Sequence, residues 1–302
     1  MFDFKVDLLK AVDEKFKLDN TSVRRYTPPK EPTIWPTESS IEYKTDNGLT
    51  LHEGKCHRAI YYRLNKYPVT EDIDSRMYWI WATGFWWEHM CQEVSKELGI
   101  LAGKSLRIYD TRFSPPISGE IDAVNTIPNT DPLKFFVIDY KTTGGSYYGN
   151  VKLMGNRNNK PFPKPENLMQ LMVYLGYDKK LEFGMLVYLI RDRMERTQFE
   201  IELVEHNNDL VAKVNGIIYP KYSLNEIYRR YKKIGHEFET KQLPNRDYDI
   251  VYSNDKVEKL REEDLIAKTK YEKHLKGSLA GDWQCSYCPY KDQCIKDGDI
   301  EI

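Results

Sequence analysis

Two apolar segments of the chain each carry a carboxylate where a strand would ordinarily bury hydrocarbon. Ser118-Gly119-Glu120-Ile121-Asp122-Ala123-Val124 sets Asp122 among apolar neighbours, and Phe135-Phe136-Val137-Ile138-Asp139-Tyr140-Lys141-Thr142 repeats the pattern with Asp139 and adds Lys141 two residues on. In an extended chain residues two apart share a face, so Asp139 and Lys141 project together while Ile138 and Tyr140 point the other way. A hairpin over the proline-bounded turn at residues 128–132 would put Asp122 beside Asp139 on that face. Burying such charges costs several kcal/mol each unless they are paired or hold a cation. Mg²⁺ and Mn²⁺ take oxygen ligands, commonly one or two carboxylates together with a substrate phosphate. Such an ion polarises a phosphoryl oxygen and lowers the pKa of a bound water, and the Lys141 ammonium would offset transition-state charge or orient the nucleophile. The chemistry this set suits is hydrolysis of a phosphodiester. The rival reading is a pair of edge-strand charges beside a solvated lysine.

Three motifs in chain order resemble the PD-(D/E)XK nuclease superfamily in its RecB-like branch: G-x-I-D at Gly119 to Asp122, I-D-Y-K at Ile138 to Lys141, and Q-x-x-x-Y at Gln170 to Tyr174. The resemblance implies a restriction-endonuclease-like core in which Asp122 and Asp139 bind Mg²⁺ or Mn²⁺, Lys141 is catalytic, and Gln170 and Tyr174 contact the active site or DNA. The last two are i and i+4, so a helix carries both on one face. The family usually adds a ligand from an earlier helix in a G-x-x-x-H or G-x-x-x-E setting. Counting four from Gly84 reaches Glu88, with His89 one step later. Adjacent helical positions differ by about 100°, so one of the pair faces the metal, and the spacing favours Glu88.

The tail Cys285-Ser286-Tyr287-Cys288-Pro289-Tyr290-Lys291-Asp292-Gln293-Cys294 brings three thiols close together, and a closed tetrahedral site needs a fourth, from Cys56 or Cys91. Cys91 lies in an amphipathic helical pattern, where a small buried hydrophobe is expected. Cys56, in Cys56-His57-Arg58-Ala59-Ile60-Tyr61, is similar to the C-x-R-x-x-Y segment of iron–sulfur members of the RecB-like branch. The resemblance implies a [4Fe–4S] cluster on Cys56, Cys285, Cys288 and Cys294. Zn²⁺ is the alternative, since four thiolates suit both. No G-x-x-x-x-G-K-[ST] phosphate loop is present, so the chain looks like a stand-alone nuclease similar to small CRISPR-adaptation exonucleases and their viral relatives, acting on single-stranded DNA ends. A catalytically inactive DNA-binding or scaffold subunit in recombination, repair, packaging or CRISPR adaptation is the second reading, and a zinc-ribbon protein with an unrelated body the third.

The composition limits where nucleic acid can bind. In 302 residues, 45 Lys and Arg face 46 Asp and Glu, so the chain is no polycation and any contact with nucleic acid must be local. Candidate patches are Lys152, Arg157, Lys160 and Lys164 between the lysine and glutamine motifs, and Arg229, Arg230, Lys232 and Lys233 on a late helix. Tyr147, Tyr148 and Phe162 could stack on unpaired bases. A hydrophobic share of 40% excludes a disordered chain, and no apolar run approaches the ~20 residues of a membrane span. The sequence from Met1 has no secretory-signal pattern, so a cytoplasmic, reducing location is expected and the five cysteines read as metal chemistry rather than disulfides.

The elements that must position these residues follow from periodicity. Residues 1–55, rich in Pro and Thr, read as an irregular arm, 56–207 as the nuclease core, and 208–302 as a helical region ending in the cysteine tail. Helical spacing is expected over 77–98, 166–177, 224–238 and 256–276, and extended segments over 105–110, 117–127, 134–143, 183–191 and 198–204. The predicted class is α/β (α+β), a mixed central sheet flanked by helices and stapled by a four-cysteine site.

Overall fold

The computed structural model describes residues 31–69, 75–144, 152–157 and 160–298. Its centre is a seven-stranded sheet in sequential order, β3 (Leu101–Asp110), β4 (Ile117–Ile127), β5 (Lys134–Thr143), β6 (Leu181–Ile190), β7 (Glu195–His206), β8 (Asp209–Val214) and β9 (Ile217–Ser223). All neighbours pair antiparallel except β5 and β6, which run parallel. A parallel pair needs a crossover, and the helix Pro165–Tyr177 lies in that connection. In chain order the helices are α1 (His57–Leu64), α2 (Ser75–Glu97), α3 (Pro165–Tyr177), α4 (Leu224–Glu239), α5 (Asn254–Glu262), α6 (Lys268–Leu275), α7 (Trp283–Ser286) and α8 (Lys291–Lys296). The mixed sheet flanked by helices is the predicted class.

The crossover helix α3 is more deeply placed than a single apolar stripe requires. Every residue from Leu168 to Leu175 is buried, Gln170 and Tyr174 among them, and the helix packs on β6, β7 and the 3₁₀ turn Pro36–Glu38. That turn also covers Gly119: a Cβ there would stand 2.8 Å from the Pro36 ring. The first glycine of the G-x-I-D segment thus allows the N-terminal turn to close over β4.

The N-terminal 55 residues are not simply an irregular arm. β1 (Ser40–Lys44) and β2 (Thr50–Gly54) form an antiparallel hairpin, and Ile34 and Ile41 belong to the main core. The region after residue 207 is not wholly helical either. β8 and β9 extend the sheet there, each begun by a tight turn with positive φ: Asn207-Asn208 (51° and 61°) and Asn215-Gly216 (47° and 82°). The expected helix over 256–276 is two helices, α5 and α6, with Asp264 at positive φ between them. Among the described residues no helix is long and apolar enough to cross a membrane.

α4 begins with Ser223 as its cap, the hydroxyl accepting from the Glu226 amide at 3.0 Å, and buries Ile227, Tyr231 and Ile234. Arg230, expected in a basic surface patch, is 1% exposed. It donates to Asp247 Oδ2 at 2.6 Å and to Ser40 Oγ at 2.7 Å, tying α4 to β1. Arg229 is spent on Glu226, at 2.6 and 2.8 Å. The Ile, Tyr and Ile stripe of the helix turns this part of the basic run inward or sideways, so it is structural.

Candidate active site

The β4 and β5 register pairs Ala123 with Ile138 and Val124 with Val137, so one further step along the same ladder brings Asp122 opposite Asp139. Asp139 is fully buried. Lys141 Nζ donates to Asp139 Oδ1 at 2.9 Å, and Oδ2 lies 2.8 Å from the same ammonium but out of line for a hydrogen bond, with no other partner. Asp122 Oδ2 accepts from the Tyr140 amide at 2.7 Å, which binds the two strands through a side chain where the ladder ends.

The flanking helices hold this pair from two sides. From α3, Gln170 Nε2 donates to Asp139 Oδ1 at 3.4 Å and to Tyr174 Oη at 2.9 Å, and Tyr174 Oη donates to the Glu120 carbonyl at 2.8 Å. Both side chains are buried, so they brace the carboxylate from within the protein instead of facing solvent. From α2, Gln92 Nε2 donates to Glu88 Oε1 at 2.7 Å and to the Asp122 carbonyl at 2.9 Å. Glu88 is half-buried beside the aspartates, whereas His89 is exposed. Their neighbouring helical positions separate them as the geometry of a helix requires.

The electrostatics show a crowded anionic site. Burial raises the Asp122 carboxyl well above the usual carboxylate range, Asp139 raises it further, Lys141 opposes, and Glu88 adds to the repulsion. Burial also raises Asp139, against Lys141. Burial by itself would lower Lys141, but Asp139 and Asp122 outweigh it and hold the ammonium above its usual value. Among the described residues no three His, Cys, Asp or Glu groups converge as a finished metal cage. The donors nevertheless fit a hard cation that keeps waters and takes a substrate oxygen: they are carboxylates, they repel one another, and Asp139 Oδ2 is a buried oxygen without a hydrogen bond.

A second cluster packs against the main core. Cys56, Cys285, Cys288 and Cys294 line one small cavity together with Arg246, and all five cysteines of the described residues are free. Arg246 Nε donates to Cys294 Sγ at 3.3 Å. Burial, with Asp247 nearby, pushes the Cys56 thiol up to about 11, and burial with the Cys56 thiol and Asp282 pushes Cys285 up to about 12. Such crowded thiols fit a metal group that would take them as thiolates. Cys91 stands apart, packed beside Trp87 and Tyr140.

Of the proposed nucleic-acid contacts, Lys152, Arg157, Lys160, Phe162 and Lys164 are described, while Tyr147 and Tyr148 lie outside the described residues. Lys164 is half-buried, and desolvation lowers its ammonium. Sequence reasoning missed Gln92 and Arg246. Gln92 had a signal, being i+4 from Glu88 on the sheet-facing side of α2. Arg246 had none, since nothing local marks a guanidinium that meets a thiol forty-eight residues away.

No curated protein matches the chain. A solved structure described as the crystal structure of SSO0001 aligns over 97% of this chain and 98% of that one, at 16% identity and a TM-score of 0.46. The PD-(D/E)XK nuclease superfamily model matches residues 59–295, a span that holds Glu88, both aspartates, Lys141, the Gln170 and Tyr174 pair and the three C-terminal cysteines. With most of its length matched and a mixed sheet of the restriction-endonuclease-like kind at its centre, the chain belongs to the PD-(D/E)XK nuclease superfamily.

Proposed function

We propose that the protein is a Mg²⁺- or Mn²⁺-dependent deoxyribonuclease that hydrolyses phosphodiester bonds at single-stranded DNA ends. Asp122, Asp139 and Glu88 would hold the ion, and His89, exposed on the next position of α2, takes no part. The observation that carries the reading is the buried Asp139 carboxylate, which shares Lys141 at 2.8 Å yet keeps one oxygen without a hydrogen bond. When bound, the ion supplies a polarised phosphoryl oxygen and a more acidic water. Lys141 holds its ammonium beside that position and can donate to a phosphoryl oxygen or orient the attacking water. Gln170 fixes the Asp139 carboxylate, Tyr174 fixes Gln170 against the Glu120 carbonyl, and Gln92 fixes Glu88 against β4. Lys152 and Lys160, in the segment leading to α3, offer positive charge to a substrate strand.

The cysteine site reads best as a [4Fe–4S] cluster on Cys56, Cys285, Cys288 and Cys294. All four line one cavity, as the ligands of a single group must, and Zn²⁺ is the alternative because four thiolates suit both. The test of both readings is one preparation. Protein purified without air should absorb in the visible and contain iron, and with Mn²⁺ it should shorten end-labelled single-stranded DNA, whereas Lys141→Ala should not. Equal cleavage by the parent and Lys141→Ala sinks the catalytic assignment. Strand binding without cleavage by the parent favours a scaffold subunit, and zinc in place of iron overturns the cluster.

A further inference from the structure

A cleft of about 870 Å³ is lined by none of Glu88, Asp122 and Asp139, and of its lining the reading above has used only Lys152 and Lys160. Four lysines line it, Lys55, Lys152, Lys160 and Lys221, against two carboxylates, Glu53 and Glu166. Glu53 is already neutralised by Lys221 at 2.8 Å, so the cleft keeps an excess of positive charge in a chain whose net charge is -1. Phe162 packs on Tyr219 and Tyr222, with ring centroids 4.8 and 5.6 Å apart, and gives the cleft an aromatic floor.

Two further rings in the lining are left in solvent. Trp283 is 64% exposed and Tyr287 82%, and they lie 6.4 Å apart, i and i+4, on the short segment that carries Cys285 and Cys288. Exposed aromatics rimmed by lysines mark a surface that binds something anionic with flat apolar faces. The cleft and the carboxylate site share the helix α3. Glu166 lines it and stands one turn before Gln170 on α3, roughly 6 Å along the axis.

We infer that this cleft holds a stretch of single-stranded polynucleotide flanking the scissile linkage, with Trp283 and Tyr287 stacking on its bases and Lys55, Lys152 and Lys160 meeting its phosphates. The inference rests on the nuclease reading for the identity of its ligand. It gives the cysteine site a second consequence, because Cys56 and Cys288 lie in the cleft wall and a group held by them would keep the Trp283 segment in place. The cleft is formed by residues from both ends of the described chain, so strand capture depends on that staple.

The experiment is equilibrium binding of a fluorescent oligothymidylate, followed by anisotropy in buffer without divalent ions, so that no cleavage occurs. Two variants approach the cleft from different parts of the chain: Trp283→Ala with Tyr287→Ala, and Lys152→Glu with Lys160→Glu. Each should weaken binding by about tenfold or more, and the parent's affinity should fall steeply with salt. Iron or zinc content is measured beside each. The lysine variant, remote in sequence from the cysteines, decides the matter if the aromatic variant loses its metal. Undiminished binding by the lysine variant overturns the proposal, as does undiminished binding by an aromatic variant that retains its metal. Cleavage assayed separately with Mn²⁺ distinguishes this outcome from failure of the nuclease reading: a parent that binds the strand and does not cut it sinks the nuclease reading while leaving the cleft result standing, and Asp139→Ala, which should bind like the parent and not cut, sinks the catalytic assignment if it still cuts.

Discussion

The carboxylate site and the cysteine site are built in opposite ways. The first sits where regular elements already meet. Asp122 and Asp139 extend one β-ladder, and α3 and α2 brace them through Gln170 and Gln92, leaving Asp139 Oδ2 without a hydrogen bond. The second joins residue 56 to residues 285–294 through short helices and irregular chain, and burial pushes up the thiols of Cys56, Cys285 and Cys288, with Arg246 as a neighbour on Cys294. One site is shaped by the sheet before any ligand arrives. The other, on the reading proposed above, would need a bound group to complete the packing, as metal-stapled regions do.

The contrast breaks most sharply under substitution. Asp139→Ala should reduce metal-dependent cleavage by about 10³-fold or more, in line with loss of a group that holds charge in the transition state. It should leave the melting temperature close to the parent's, because a raised carboxyl gains little from being ionised in the folded state. Cys285→Ser should show the reverse emphasis: loss of the bound metal and of about 4 kcal/mol, a fall in melting temperature of about 10 °C or more by thermal denaturation. If Cys285→Ser melts with the parent, the staple is not structural and the comparison fails.

A milder test concerns the brace. Gln170→Leu keeps the volume of the buried side chain and removes the donor shared by Asp139 and Tyr174. Misplacing a ligand through its support typically costs about 10- to 100-fold, so a rate loss in that range with unchanged strand binding is expected. Asp122→Asn goes the other way on stability. Burial and Asp139 hold the Asp122 carboxyl high in the folded state, so its ionised form opposes folding once the pH exceeds the unfolded value near 4. The amide removes that opposition and should stabilise the metal-free protein by about 1 kcal/mol, read as a higher melting temperature at neutral pH and little difference in acid.

The same contrast explains what could be read in the sequence. β4 and β5 end where their periodicity says, because alternating Ile, Val and Phe between turn formers leave little choice of register. Asp122, Asp139 and Lys141 therefore come together as the strand pattern requires. β9 was hidden by Pro220, which a central strand would exclude and an edge strand tolerates, and by Leu224 onward reading as helix. The Asn215-Gly216 pair was the available signal for it. The hairpin β1–β2 follows Pro32 and Pro36 but contains no proline itself, and the irregular character of the stretch before it does not extend across it. Arg230 shows the limit of composition: four basic residues in one run look like a surface, yet the helix periodicity turns one of them into the core, and only the distant Asp247 explains how it is tolerated there.

The smallest effect separates two neighbours on one helix and bears on how the strand-built site borrows from α2. Glu88 and His89 are adjacent in sequence, but the helix directs Glu88 toward Asp122 and Gln92 and leaves His89 in solvent. Glu88→Gln keeps the hydrogen bond to Gln92 while removing the charge, so a loss of about tenfold in cleavage, partly recovered at high Mn²⁺, would assign the missing charge to metal affinity. His89→Ala should change cleavage by less than about twofold, as an exposed side chain outside the network should. A larger loss for His89→Ala than for Glu88→Gln would mean that α2 rotates when the substrate and its ion are bound, and that the sheet alone, without that helix, is the preorganised part of the site.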